Sequence, residues 1–358
     1  MEPEELRDAI PIASEVSYLN TGASGPSPRP VREAMRETRG AHTEAHADDP
    51  YGHESTVADE ARKAVASLLN TSPERIALTS NTTDGINVVA DCFDWSDEDV
   101  VVTTELEHPA GVLPWQRLSD VHGVEVRTVP DDRKSLDRDA YKDAVRGATL
   151  VCFSSTSWYG ASVPVPELVG IAHDAGASVV VDAAQSVGAE PVDVAEWGAE
   201  YVAAPAHKWL LGPWGAGFLY VSEDAPSGGQ TRVGYKGAVS PNDSARLRDD
   251  ARRFEVSTSS PAVLAGARAA AETVGSVGLD TVEKRTACLT DRLEQLLGDR
   301  HASTGGGLVR FTDPTPDDTV ARLKDEGVVV RALPDGDLRA SVHVFNTAED
   351  IDRLAETL

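Results

Sequence analysis

Short β-branched runs alternate with amphipathic stretches along the first two thirds of this chain. The segments DVVVTTEL, VEVRTV, ATLVCFSST, ASVVVDAAQ, YVAAPA and GAGFLYV predict strands, and stretches such as VPVPELVGIAHDAGA between them predict helices. Strands regularly separated by helices imply an α/β fold, a mostly parallel sheet covered on both faces. Functional residues are then expected at the carboxyl ends of strands. After about residue 240 the pattern changes. PAVLAGARAAAETVGSVG predicts a long Ala-rich helix and LTDRLEQLLGD another, and GLVRFT, GVVVRAL and LRASVHVF predict short strands. The expected division is a large domain over 1–240 and a smaller α+β domain over 241–358. The glycines 305–307 read as a turn before a strand, since no helix start follows them.

Two charged residues fall at predicted strand ends. Asp182 closes SVVVD, and Lys208 follows His207 just beyond YVAAPA, 26 positions later. A neutral lysine amine can attack an aldehyde as a Schiff-base former, and a buried carboxylate can hold a proton on a heterocyclic nitrogen, raising its pKa by about 1–3. Such chemistry also needs an anion site. In ALTSNTTDGINVVADCF a short strand ends in Ser80, Asn81, Thr82 and Thr83 before a helix, and free N–H groups and hydroxyls there suit a phosphate. The same residues also read as an ordinary cap, with Asn81 as N-cap and Asp84 reaching back. His108 lies just past DVVVTTEL, where it can cover a planar ring and relay protons near neutral pH, or serve only structure.

Composition narrows the classes. With 358 residues, 41% of them apolar, the chain can bury real cores, which excludes disorder. Acidic residues outnumber basic ones 59 to 33, for a net charge of −26, and only seven residues are Lys. Nucleic acid is therefore excluded as an expected partner. Because the acidic residues are spread along the chain rather than gathered in a tail, they read as adaptation to a salty cytoplasm. Cys92, Cys152 and Cys288 have no paired spacing and are expected in core elements as small apolar residues. His42, His46 and His53 have partial metal-ligand spacing but no closed ligand set, so no metal is expected; an active-site rim with Tyr51 or His53 serving a partner subunit fits them better. The opening MEPEELRDAIPIAS has no apolar core, and no segment approaches the roughly 18 apolar residues of a membrane span. A cytoplasmic location without membrane contact is expected.

The ordered motifs YLNTGASGP, TSNTTDGIN, EHPAGVLPW, VVVDAAQSVG, AHKWLLGPWGAGFLYV and RASVHVFNTAEDIDRL together resemble the class V aminotransferase family of pyridoxal-phosphate enzymes, from about Tyr18 to Leu354. That family includes cysteine desulfurases, isopenicillin-N-epimerase-like proteins and C–S lyases. The resemblance implies the fold-type-I pyridoxal-phosphate transferase architecture and pyridoxal 5'-phosphate as cofactor. It implies Lys208 as the Schiff-base lysine, His207 beside it on the phosphate side, Asp182 as partner of the ring nitrogen, Gln185 as donor to the ring oxygen, and His108 stacked on the ring. Thr82 and Thr83 match phosphate-binding hydroxyls. Arg339 matches the guanidinium that holds the substrate α-carboxylate, with Asn20 and Ser157 also assigned to the substrate. Thr258 matches a residue that reaches the neighbouring subunit's phosphate, which implies a homodimer with shared sites.

Two departures stand out. Pro205 and Ser157 occupy positions where many relatives carry Ser and Asn. RALPDGDLRAS also passes from Arg331 to Arg339 without the cysteine that related desulfurases carry on the corresponding loop. The resulting expectation is an enzyme acting on an α-amino acid, first as an aminotransferase, with a Cys-independent C–S or β-lyase or an epimerase next and a non-catalytic cofactor-binding regulator last. A dinucleotide-dependent oxidoreductase is disfavoured, because no G-x-G-x-x-G follows the first strand. The charge makes its own prediction: the melting temperature should rise in molar potassium chloride, as carboxylate repulsion is screened. Equal melting temperatures at low and molar salt would remove the salt-adapted reading.

Overall fold

The computed structural model describes residues 1–131, 136–242 and 246–358. In chain order, β1 (Ser17–Tyr18) precedes β2 (Ile76–Thr79), β3 (Val100–Thr104), β4 (Glu125–Val129), β5 (Leu150–Ser154), β6 (Ser178–Asp182), β7 (Tyr201–Pro205) and β8 (Gly217–Val221). Then come β9 (His301–Gly305), β10 (Leu308–Thr312), β11 (Val328–Val329), β12 (Arg331–Ala332) and β13 (Asp337–Ser341). Each of the six runs that predicts a strand of the large sheet forms one.

The large sheet has the order β2-β8-β7-β6-β5-β3-β4. Only β8 runs antiparallel to its neighbours, β2 and β7, and the other pairings are parallel. Strands β3, β5, β7 and β8 are buried at every position, which their near-continuous apolar sequence requires of a sheet covered on both faces. One face packs on Leu6, Ile10 and Val31 from the N-terminal helices and on Ala270 and Val274. The other packs on Ile86, Val89 and Trp115. Helix Pro261–Val277, on the C-terminal side of position 240, thus shares the core of the large sheet.

The second sheet, β12-β13-β10-β9, is antiparallel and rests on helices Leu279–Leu297 and Ala348–Thr357. Gly306 and Gly307 form the turn between β9 and β10 with φ of 53° and 84°, which glycine tolerates without strain. Cys288, expected in the core, is instead exposed. The buried stripe of its helix runs through Thr286, Leu289, Leu293 and Leu297, and position 288 falls off that stripe. Cys92 and Cys152 are buried as expected.

The two ends of the chain are joined. β1 pairs in parallel with β11, Asn20 bridges to Ser341, and Arg7 donates to both carboxylate oxygens of Asp350 at 2.8 and 3.3 Å. Asp350 also closes a capping box with Thr347, so a single carboxylate fixes both a helix start and the N-terminal segment. Among the described residues no helix is long and apolar enough to cross a membrane.

Gly217, at the start of β8, lets the turn before helix Thr82–Ala90 come close, since a Cβ there would sit 2.7–2.9 Å from the Asn81 backbone. Gly217→Ala should therefore destabilise by about 1–3 kcal/mol through overpacking. Gly170→Ala, exposed in a helix with nothing within 4 Å of the new Cβ, should stabilise by up to about 1 kcal/mol. Urea unfolding of both variants checks the opposite signs; a neutral Gly217→Ala would contradict the close approach.

Candidate active site

The carboxyl ends of the parallel strands open into one cavity of about 740 Å³. The resemblance-derived residues Thr82, Thr83, His108, Asp182, Gln185, His207, Lys208 and Arg339 all line it. They come from segments far apart in sequence, and the strand ends bring them together.

The first wall is the start of helix Thr82–Ala90. Asn81 caps it by accepting from Asp84 N at 2.9 Å. Asp84 does reach back, but to Ser80 N at 2.9 Å, and its other oxygen meets Arg232 at 2.6 Å. Its charge is thereby neutralised beside a site meant for an anion. Thr82 Oγ1 is buried without a partner. A helix start with a free hydroxyl, opposite a compensated acid, suits a phosphate group.

The floor is built on β6 and β7. Asp182 pairs in register with Ser154 on one side and Ala203 on the other. It accepts from Ala184 N at 2.9 Å. Burial raises its pKa, and facing Lys208 draws it back down. A buried carboxyl of this kind favours its anion once a second cation faces it, which is what a protonated ring nitrogen would be. Lys208 follows β7 in a turn closed by Leu211 N donating to Lys208 O at 2.9 Å and Gly212 N donating to Ala206 O at 2.8 Å. Leu211 adopts φ 59°, a left-handed conformation rare for a side-chain-bearing residue. The N-terminal loop locks this turn from outside. Gly25 N donates to His207 O at 2.7 Å, and a Cβ at Gly25 would collide with Lys208 O.

The charges are tuned by burial. The Lys208 amine is pushed down to about 8 by desolvation, with Asp182 opposing and Arg339 and Arg331 reinforcing. His108 is pushed down to about 4 by desolvation and by Lys208, Arg331 and Arg339. Its Nδ1 accepts from Ala110 N at 3.2 Å. This shift favours the neutral ring of His108 and leaves the expected proton relay untested. His207 is likewise held near 4 by desolvation and Lys208, and it stacks on Trp214 at 4.5 Å. Gln185 is fixed at both ends, accepting from Trp209 Nε1 at 2.8 Å and donating to Gly22 O at 3.1 Å.

The wall expected to face the substrate is formed by the second sheet. Arg331 and Arg339 sit opposite one another on β12 and β13, and both line the cavity. Arg339 is fully buried, and desolvation followed by Arg331 pushes its guanidinium down to about 9. One nitrogen donates to Trp158 O at 2.8 Å, while Nε and Nη2 have no partner. Those two donors form a fork of the kind that holds a carboxylate.

Three assigned residues lie off the cavity wall. Ser157 is buried in a turn, its Oγ accepting from Tyr159 N and Ala161 N at 3.2 Å, so it offers nothing to a substrate and Trp158 faces the cavity in its place. Asn20 sits behind the wall, bridged to Ser341 with a buried, unpartnered Oδ1, while Gly22 and Ala23 line the cavity. Thr258 is exposed at a separate surface cleft, its N–H donating to Tyr235 OH at 2.9 Å. His42 lies 4.9 and 5.4 Å, centroid to centroid, from His46 and His53, outside the cavity.

Sequence reading missed Arg331, Trp158 and Glu107. Glu107 is buried behind His108 and accepts from Thr104 Oγ1, Ser154 N and Ser154 Oγ at 2.8, 2.9 and 2.6 Å; burial raises it to about 7. Its place immediately before His108 was the available signal.

The chain is 33% identical to a probable cysteine desulfurase of Methanothermobacter thermautotrophicus, over 100% of this chain and 98% of that protein. The apo structure of a cysteine desulfurase from Thermococcus onnurineus NA1 superposes with a TM-score of 0.90 at 30% identity, covering 99% of this chain and 97% of that one. A complex of the cystine C–S lyase C-DES with its reaction product cysteine persulfide gives 0.91 at 26%, covering 97% and 98%. The family model for aminotransferase class-V matches residues 17–354, and the chain belongs to that family.

Proposed function

We propose that the protein is a pyridoxal-phosphate enzyme that removes a proton from Cα of an α-amino acid and then expels a sulfur-bearing substituent from Cβ, without a cysteine of its own. The observation that carries the reading is the meeting of Asp182, Lys208 and Arg339 in one cavity, with the Lys208 amine pushed down to about 8 by burial so that a fraction of it is neutral at physiological pH. Pyridoxal phosphate, when bound, supplies an aldehyde carbon for the lysine and a ring that accepts the electrons left by the departing proton. Thr82, Thr83 and the helix start would hold its phosphate. Asp182 would keep a proton on the ring nitrogen, Gln185 would offer the second hydrogen of Nε2 to the ring oxygen, and His108 would cover the ring. Lys208 Nζ moves the Cα proton while Arg339 Nε and Nη2 keep the carboxylate in place, so that the breaking bond keeps one orientation.

Elimination is favoured over a protein-bound persulfide by the positions of the cysteines. Cys92 and Cys152 are buried in the core, Cys288 lies on the outer face of a distant helix, and none of the three lines the cavity. The turn between β12 and β13 is tied by Leu333 N donating to Asp337 O at 2.8 Å and holds no thiol. The likeness to a cystine C–S lyase also supports elimination over transamination, which these residues would equally permit.

In the same reading the enzyme is a cytoplasmic homodimer, and Thr258 serves the phosphate site of the partner subunit. Its exposure and its position off its own chain's cavity support that role. The division into parts over 1–240 and 241–358 belongs to the reading too, with helix Pro261–Val277 adhering to the larger part.

Two measurements test these statements. Reductive labelling of Lys208 by a small aldehyde should rise with pH to half its maximum near 8, because the neutral amine is the reactive form. A Lys208 profile centred above 10 would contradict the buried, cation-flanked amine. Second, borohydride treatment with pyridoxal phosphate should fix the cofactor to the Lys208 peptide and abolish turnover, while the unreduced enzyme given cysteine or cystine should release pyruvate and ammonia with sulfide or a persulfide. Replacing Cys92, Cys152 and Cys288 together by Ala should leave turnover largely intact. Alanine with a protein-bound persulfide would overturn the elimination reading, and one equivalent of a 2-oxo acid that still carries its sulfur, with the amino group left on the cofactor, would establish transamination instead.

A further inference from the structure

The turn after β5 uses up its polar side chains internally. Thr156 Oγ1 bonds Ser162 Oγ at 2.9 Å, Ser186 Oγ reaches Thr156 Oγ1 at 3.4 Å, and Ser157 Oγ is held by two backbone N–H groups. Gly160, at φ 92°, closes the turn and leaves Trp158 on the cavity wall. The indole meets His108 edge-on, with centroids 5.3 Å apart and planes at 87°. On its other side, the Trp158 carbonyl accepts from Arg339 Nη1 at 2.8 Å. Trp158 therefore lies between the ring expected to cover the cofactor and the guanidinium expected to hold the substrate.

Its Nε1–H is buried and has no acceptor among the described residues, and Arg339 Nε and Nη2 are in the same condition. A buried donor without a partner is costly, and in a cavity wall it marks where an acceptor belongs. A carboxylate has about four acceptor positions, enough for a guanidinium fork and one more donor. We infer that Trp158 is a substrate-binding residue whose indole N–H, together with Arg339, grips the α-carboxylate of the amino acid, the part the sequence had assigned to Ser157. The inference rests on the proposed amino-acid reading of the site. It adds a recognition element whose rigidity comes from the self-bonded turn, and it makes the carboxylate rather than the side chain the feature selected at this end of the cavity.

Two ligands separate this role from simple packing. 2-Methylalanine has no Cα hydrogen and so binds without turnover; isopropylamine is the same molecule without the carboxylate. Calorimetry on the cofactor-loaded Trp158→Phe protein, which keeps a ring against His108 but loses the N–H, should show 2-methylalanine weakened by about 10–100-fold, as expected for a hydrogen bond to a charged group, and isopropylamine unchanged. If Trp158→Phe does not fold, benzothienylalanine at position 158 provides the same shape without the donor, and the same result is expected. Equal weakening of both ligands, or of neither, overturns the inference and assigns the N–H to packing or to water. A wild-type protein that binds 2-methylalanine no better than isopropylamine would overturn the amino-acid reading, and this one with it.

Discussion

The confinement of unlike charges within an apolar wall is the constraint on which the rest of the site depends. Asp182 ends a strand whose preceding three residues are all valine, so its carboxylate lies where water cannot solvate it. An isolated ion in that position would cost several kcal/mol or give up its charge. Lys208 answers it from the next strand end, and the two shift each other's titration in opposite directions. Neither charge is fully satisfied by the other, and the pair is completed by whatever cationic nitrogen enters between them.

The fold delivers this constraint by simple means. Parallel strands put all their carboxyl ends on one edge, and the turns leaving β2, β3, β5 and β7 and the end of β6 supply Thr82 and Thr83, His108, Trp158, Lys208 and Asp182. The guanidinium wall comes from elsewhere, as do Gly22 and Ala23 of the N-terminal loop. β12 and β13 present Arg331 and Arg339 side by side, and burial of Arg339, followed by repulsion from the more exposed Arg331, is expressed in its lowered pKa. Such a wall attracts anions and adds to burial in lowering the pKa of Lys208 and of His108.

What was legible in the sequence follows the same division. Strand ends are visible as apolar runs that stop at a charged or small residue, which is why Asp182, Lys208 and the Thr82–Thr83 hydroxyls could be named before any coordinates. The positions of His108 and Arg339 needed the resemblance as well. Residues inside turns were not legible. Whether position 157 or 158 faces the cavity depends on the two hydrogen bonds that Ser157 Oγ accepts, and no periodicity encodes these. Arg331 was hidden for a different reason: its place beside Arg339 is a matter of antiparallel register, which depends on a four-residue turn. The off-stripe position of Cys288 could have been read from the 3.6-residue period of its helix, with Leu289, Leu293 and Leu297 as the guide.

The joining of the chain ends by β1, β11 and the Asn20–Ser341 bridge has a consequence in time. A ribosome delivers Asn20 and Gly22 early, yet the surface against which they rest does not exist until residue 341 has emerged. Gly25 can meet the lysine turn once residue 208 is made, but the guanidinium wall is still missing at that stage. The nascent chain therefore carries Thr82, Asp182 and Lys208 without a closed cavity around them until residue 341 is made. Assembly of the complete site waits for that stage, and a truncation that spared every residue of the large sheet would still leave it open.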